Sequence, residues 1–145
     1  MAHADFPAYR GRMEYVCLDC GARYPGDSLL YACPQCGGVF LLENLDFFRL
    51  KERDGAAWRE VFDARACTRH TALKGIFRYY ELLAPLLEEE DIVYLGEGLT
   101  PIVEAAPALR DAVGLPFAYK NDGQNPSASF KDRGMACAFS YLKWL

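Results

Sequence analysis

Residues 125–134 read NPSASFKDRG, and this stretch decides how the rest of the chain is understood. Asn125-Pro126 starts a turn, and Ser127, Ala128 and Ser129 keep side-chain bulk low along the loop that follows. Ser129-x-x-Asp132 has the spacing of a capping box with Asp in place of Glu, so a helix is expected from about Phe130. Met135, Ala138, Phe139, Leu142 and Leu145 then fall along one side of it. Lys131 sits in the first turn of that helix, where the positive end of the dipole disfavours a charged amine. An amine held that way suits nucleophilic attack on an aldehyde. A surface lysine paired with Asp132 explains the same residues, and the ten residues alone do not choose.

The 145 residues fit one domain, or one domain with a small appendage. Hydrophobic residues make up 52%, enough for a packed core rather than a disordered chain. The net charge of −4 argues against nucleic acid as the main partner. No apolar run approaches the ~18 residues of a bilayer span. The opening MAHADFPAYRGR lacks the apolar centre of a signal peptide. A cytoplasmic protein without a membrane partner is expected, and in that compartment paired cysteines mean metal or redox chemistry.

Four cysteines carry such a pattern: Cys17-x2-Cys20, twelve residues, then Cys33-x2-Cys36, with Gly21 and Gly37 directly after each pair. Two thiolates three positions apart in a tight turn face one ion, and the glycines permit the positive φ such turns need. Two turns brought together make a tetrahedral sulfur site suited to structural zinc, with iron in the same cage as the alternative. Binding the ion would supply much of the folding free energy of so small a module. Between residues 10 and 42 the bases Arg10, Arg12 and Arg23 are balanced by Glu14, Asp19 and Asp27, unlike a phosphate-reading surface. Cys67 and Cys137 read as plain buried or free thiols.

The expected organisation is a loose leader over 1–13, a zinc ribbon over 14–42 and an enzyme-like segment over 43–145. Short β-type runs are expected at Glu14–Val16, Leu29–Tyr31 and Val39–Leu42. LDFFRLKERDGAAWREVFDARA predicts a helix in two pieces broken near Gly55, with Trp58, Val61 and Phe62 on one buried face beside Arg65. ALKGIFRYYELLAPLLEEE predicts a short helix interrupted by Pro85, ending in a solvated acidic run. DIVYLG, PIVEA and LPFAYKND predict strands, and APALRDAVG a helix with Pro107 near its start and Gly114 at its end.

NPSASFKDRG resembles the NP-small-x-SFKDRG segment of pyridoxal-phosphate enzymes of the tryptophan-synthase-β type, the threonine synthases in particular. GEGLTP (96–101) is similar to the family's GEGxTP stretch, GIFRYYELL (75–83) to its GIWRY helix, and the paired CxxCG turns to the ribbon on many of its members. The four motifs occur in the family's order over roughly 14–145. The resemblance implies an α/β fold: an N-terminal zinc ribbon followed by the start of a fold-type-II domain, incomplete at its C-terminal end. It implies pyridoxal 5'-phosphate carried by Lys131 as an internal Schiff base, with Asn125 and Ser129 at the cofactor and Ser127 as a further loop donor. Asp132 and Arg133 are expected to fix the helix start, and GEGLTP either to line the active-site mouth or to be a glycine turn. The implied reaction converts O-phosphohomoserine and water into threonine and phosphate, in a possible homodimer. The family's enzymes are considerably longer, and AFSYLKWL resembles a helix in mid-course. The chain is therefore expected to be an N-terminal fragment without turnover of its own. A cysteate-synthase-like lyase and a stand-alone zinc-ribbon adaptor are the alternatives.

Overall fold

The computed structural model describes residues 6–67 and 69–145. A three-stranded antiparallel sheet in the order β2-β1-β3 is built from β1 (Met13–Cys17), β2 (Arg23–Pro25) and β3 (Phe40–Asn44). Tyr15 on the central strand lies opposite Tyr24 on one side and Leu42 on the other. The aromatic rings of Tyr15 and Tyr24 both pack on Phe40, at 5.1 and 5.6 Å between centroids. Leu29–Tyr31, expected as a strand, is irregular; Tyr31 is 85% exposed, and the chain turns earlier, where the Gly26 N–H donates to the Met13 carbonyl.

Two helical pieces follow, as expected: α1 (Phe47–Leu50) and α2 (Gly55–Ala66). Asp54 sets the start of the second, accepting the Ala57 N–H at 2.8 Å, so Gly55 opens the helix rather than breaking it. Trp58 stacks on Phe62, which meets Tyr79 edge-on, while Arg65 turns inward to a buried ion pair with Glu81. GIFRY is a short 3-10 segment, Gly75–Tyr79, continued by α3 (Tyr80–Leu83), which ends before Pro85. The acidic run after it is exposed, as expected.

The core is Leu73, Phe77, Tyr80, Leu87 and Ala136, with Phe6, Ile76 and Trp144 packed against it. Burying each large side chain of this set stabilises the fold by about 1.5–3 kcal/mol. The Tyr80 hydroxyl is shared between the Pro85 and Leu87 carbonyls, and burial pushes its pKa up to about 12. Residues 1–5 of the expected leader lie outside the described residues. Residues 6–12 are packed rather than loose: Phe6 meets Tyr80 edge-on, Arg10 pairs with Glu88, and Arg12 pairs with Asp46.

A second sheet joins β4 (Ile102–Glu104) antiparallel to β5 (Ala118–Lys120). Between them runs α4 (Pro107–Val113), closed by Gly114 at φ 81°. DIVYLG forms no strand. Side-chain acceptors take its N–H groups instead, Ser140 Oγ that of Val93 and the Glu97 carboxylate that of Leu95. The last element is α5 (Lys131–Trp144). Its buried residues are Asp132, Ala136 and Ser140, and Cys137, Tyr141 and Trp144 pack against the core beside them. Met135, Ala138, Phe139, Leu142 and Leu145 are exposed, whereas Trp144 reaches back to the core. The molecule is thus a mixed α/β structure with a four-cysteine ribbon at one end of the chain and a lysine-headed helix at the other.

Candidate metal centre and lysine loop

The two cysteine turns are built alike. In the first, the Cys17 carbonyl accepts the Gly21 N–H and the Cys17 N–H donates to the Ala22 carbonyl. In the second, the Cys33 carbonyl accepts the Gly37 N–H and the Cys33 N–H donates to the Gly38 carbonyl. Gly21 and Gly37 have φ of 73° and 77°, the left-handed backbone such a turn needs. The four Sγ atoms lie within 4.8 Å of one another. Cys17 and Cys36 sulfurs are 3.5 Å apart, and those of Cys20 and Cys33 are 3.7 Å apart. A tetrahedron with metal–sulfur bonds of about 2.3 Å has edges of about 3.8 Å, so the quartet fits one metal ion. The Tyr24 hydroxyl stands 3.5 Å from Cys33 Sγ, positioned to donate to a ligating thiolate. Cys67 is exposed, and Cys137 is half-buried, its thiol pushed up to about 11 chiefly by burial.

The three other motifs lock into one another. Glu97 of GEGLTP is fully buried, and its carboxylate accepts the N–H groups of Ile76 and Leu95, both at 2.9 Å. Gly75 at the head of GIFRY presses on it: a Cβ there would stand 2.8 Å from the Glu97 carbonyl oxygen, with φ at +61°. Gly98 donates its N–H to Asn125 Oδ1 at 3.0 Å, and Asn125 Nδ2 donates to the Asp122 carbonyl. Arg133 grips Asp122 through both terminal nitrogens, at 2.8 and 2.7 Å, and also donates to Thr100 Oγ1. Thr100 donates in turn to Asp122, and Lys120 Nζ donates to the Thr100 carbonyl. The hydrogen bonds from Arg133 and Thr100 hold the Asp122 carboxyl down to about 2.

Lys131 heads α5 and is exposed. The capping box expected at Ser129 and Asp132 does not form. Asp132 reaches back to Ser127, accepting its N–H at 2.8 Å and its hydroxyl at 2.5 Å, and this holds the Asp132 carboxyl below the usual range. Ser129 Oγ accepts the Lys131 N–H at 3.2 Å. With Asp132 bonded to Ser127, the Lys131–Asp132 pair is not made, and no bond of the Lys131 amine is found among the described residues. Asn125 is buried and Ser129 half-buried.

The sequence singled out the four cysteines, Lys131, Asn125 and Ser129, and GEGLTP as a motif, but assigned no individual role to Glu97, Thr100, Asp122 or the tyrosine pair that joins the two halves. The Tyr15 hydroxyl donates to that of Tyr141 at 2.7 Å, and Tyr141 donates to the Gly26 carbonyl. Glu97 had a readable signal, a lone acid between two glycines. Asp122 and Arg133 had none, because they stand eleven positions apart, one in a 3-10 turn and the other in α5.

The class this geometry defines is a four-cysteine ribbon attached to a rigid loop that presents one lysine. Its sequence is similar to threonine synthases over about four-fifths of the chain, consistent with an N-terminal portion of one. The chain is 38% identical over 121 residues to threonine synthase of Methanocaldococcus jannaschii, which covers 82% of this chain and 26% of the relative. Identity to threonine synthase of Methanosarcina acetivorans is 29% over 126 residues, 82% of this chain and 25% of that one. With chloroplastic threonine synthase 2 of Arabidopsis thaliana it is 30% over 129 residues, 84% of this chain and 24% of that one. The chain thus spans about a quarter of the length of the curated relatives it matches. No family model matches the chain.

Proposed function

We propose that this chain is the cofactor-anchoring part of a cytoplasmic threonine synthase, acting on O-phosphohomoserine with pyridoxal 5'-phosphate. The observation that carries the reading is Lys131, an exposed amine at the head of α5 on a loop fixed from three directions. Asp132 holds Ser127, Asn125 holds Gly98, and Arg133 holds Asp122 and Thr100. These bonds use the residues around the lysine and leave its amine to react. Pyridoxal phosphate, when bound, supplies the electron sink. Lys131 would hold it covalently and, once released, carry protons to and from the substrate. The Ser129 hydroxyl would donate beside it, while buried Asn125 holds the loop's shape through Gly98 and Asp122. Cys17, Cys20, Cys33 and Cys36 would hold a structural zinc ion whose work is folding.

The test is incubation of the metal-loaded protein with pyridoxal phosphate, borohydride reduction and peptide mapping. A pyridoxyl group on Lys131 is the expected result; a label on another lysine, or none, ends the assignment. Metal analysis of protein purified without chelators should find one zinc per chain, and an empty quartet would remove the ribbon's role.

A further inference from the structure

A cleft of about 590 Å³ opens between residues 7–9, α1 and α2, and among the described residues neither the cysteine quartet nor the Lys131 loop lines it. Its volume suits a small molecule. Two of the lining side chains are aromatic rings that carry guanidinium groups: Arg49 lies over Tyr9 at 5.1 Å and Arg53 over Trp58 at 4.7 Å. Trp58 is itself fixed, stacked on Phe62 and donating from Nε1 to the Leu50 carbonyl at 2.8 Å. A guanidinium over a ring face keeps its N–H groups at its edge, where they can donate. Neither arginine forms an ion pair among the described residues. Arg49 gives one N–H to the Arg10 carbonyl at 3.3 Å, and the Arg53 guanidinium gives none. Deeper in the cleft Arg65 and Glu81, 6% and 5% exposed, hold each other through two bonds and cancel in charge. Glu52 is the remaining carboxylate of the lining, so two guanidiniums face one acid in a chain whose net charge is −4.

We infer that this cleft binds a small phosphate monoester, held by the edges of Arg49 and Arg53. Guanidinium forks held in place match phosphate oxygens, two N–H groups to a pair of acceptors. A monoester carries a charge of about −1.5 to −2 at neutral pH, which answers two guanidiniums that lack carboxylate partners. A monocarboxylate would answer only one of them, and Glu52 repels a polyanion such as a nucleic-acid backbone. The rings already carry the arginines, so recognition falls on the phosphate rather than on a stacked base. The cleft is larger than a phosphate ion, which leaves room for the rest of the ester. The buried Arg65–Glu81 pair ties α2 to α3 and keeps the donors in position. The site stands independently of the Lys131 assignment, because it shares no residue with that loop.

The test is isothermal titration calorimetry of the full chain with glycerol 3-phosphate. One site saturating in the millimolar range or below is expected, and the Trp58 indole N–H resonance should shift along the same isotherm. Arg49→Gln and, independently, Arg53→Gln should each weaken binding at least about tenfold while circular dichroism stays unchanged. Arg59→Gln removes an exposed α2 charge that does not line the cleft, and should leave the affinity within about twofold. Inorganic phosphate should bind more weakly than the ester, and succinate more weakly still. Absence of saturation, or equal loss in all three variants, would overturn the inference. So would an affinity for the bare ion or for succinate that equals the affinity for the ester.

Discussion

Replacing Gly75 by alanine tests the joint on which the lysine loop rests. Two costs arise at this position. The backbone has φ at +61°, where an L side chain costs about 1–2 kcal/mol. A Cβ would also meet Glu97, 2.7 Å from its carboxyl carbon and 2.8 Å from its carbonyl oxygen, and overpacking of that kind costs about 1–3 kcal/mol. The sum is about 2–5 kcal/mol. Gly114 provides the internal comparison, because its φ is +81° but nothing lies within 4 Å of an added Cβ. Gly114→Ala should therefore cost only the backbone part, about 1–2 kcal/mol. Thermal unfolding of the two variants should separate them by about 3–9 °C, at roughly 3 °C per kcal/mol for a chain of this size. If Gly75→Ala melts no lower than Gly114→Ala, the close packing of GIFRY on GEGLTP does not exist and the loop is held some other way.

Breaking the buried Arg65–Glu81 pair by Glu81→Ala should cost about 3–5 kcal/mol in urea unfolding, because it strands a guanidinium that is 6% exposed; replacing both residues by methionine should recover most of the loss. Asp46 and Asp122 have carboxyl groups held to about 2, by Arg12 and by Arg133 with Thr100 respectively. Their folded values lie below the unfolded one, so both stabilise fully above pH ~4 and lose that effect as pH falls toward ~2. Asp46→Asn should flatten the acid limb of a stability–pH curve, and an unchanged limb would refute the pairing. Removing metal with a chelator should raise amide exchange in residues 13–44 and, through the Tyr15–Tyr141 contact, in α5, and Tyr141→Phe should confine the rise to residues 13–44.

The parts of this fold that could be read from sequence are those whose physics is local. Cysteine spacing with a following glycine determines a turn, and Gly55 after Asp54, or Gly114 after α4, marks a helix boundary within a few residues. The failures are places where a distant group overrides the local preference. Ile92, Val93 and Tyr94 look like a strand, yet Ser140, forty-seven residues on from Val93, takes the N–H that a neighbouring strand would have used. Asp132 has the spacing to cap its own helix and instead secures Ser127. The lysine was visible because its surroundings form a continuous motif. Its supports were hidden because Glu97, Asp122 and Thr100 come together only after three loops have folded.

The tyrosine pair has a thermodynamic consequence. Tyr15 lies two residues before Cys17 and bonds to Tyr141 near the end of the helix that Lys131 begins. If order in the ribbon and order in α5 favour each other through that contact, the coupling acts equally in both directions. Metal taken up by the cysteines then biases the lysine helix toward its folded position. Any ligand that orders the helix raises the ribbon's affinity for metal by the same factor. Two sites that share no atom would titrate as linked equilibria, and a metal-binding isotherm would report on occupancy at the lysine.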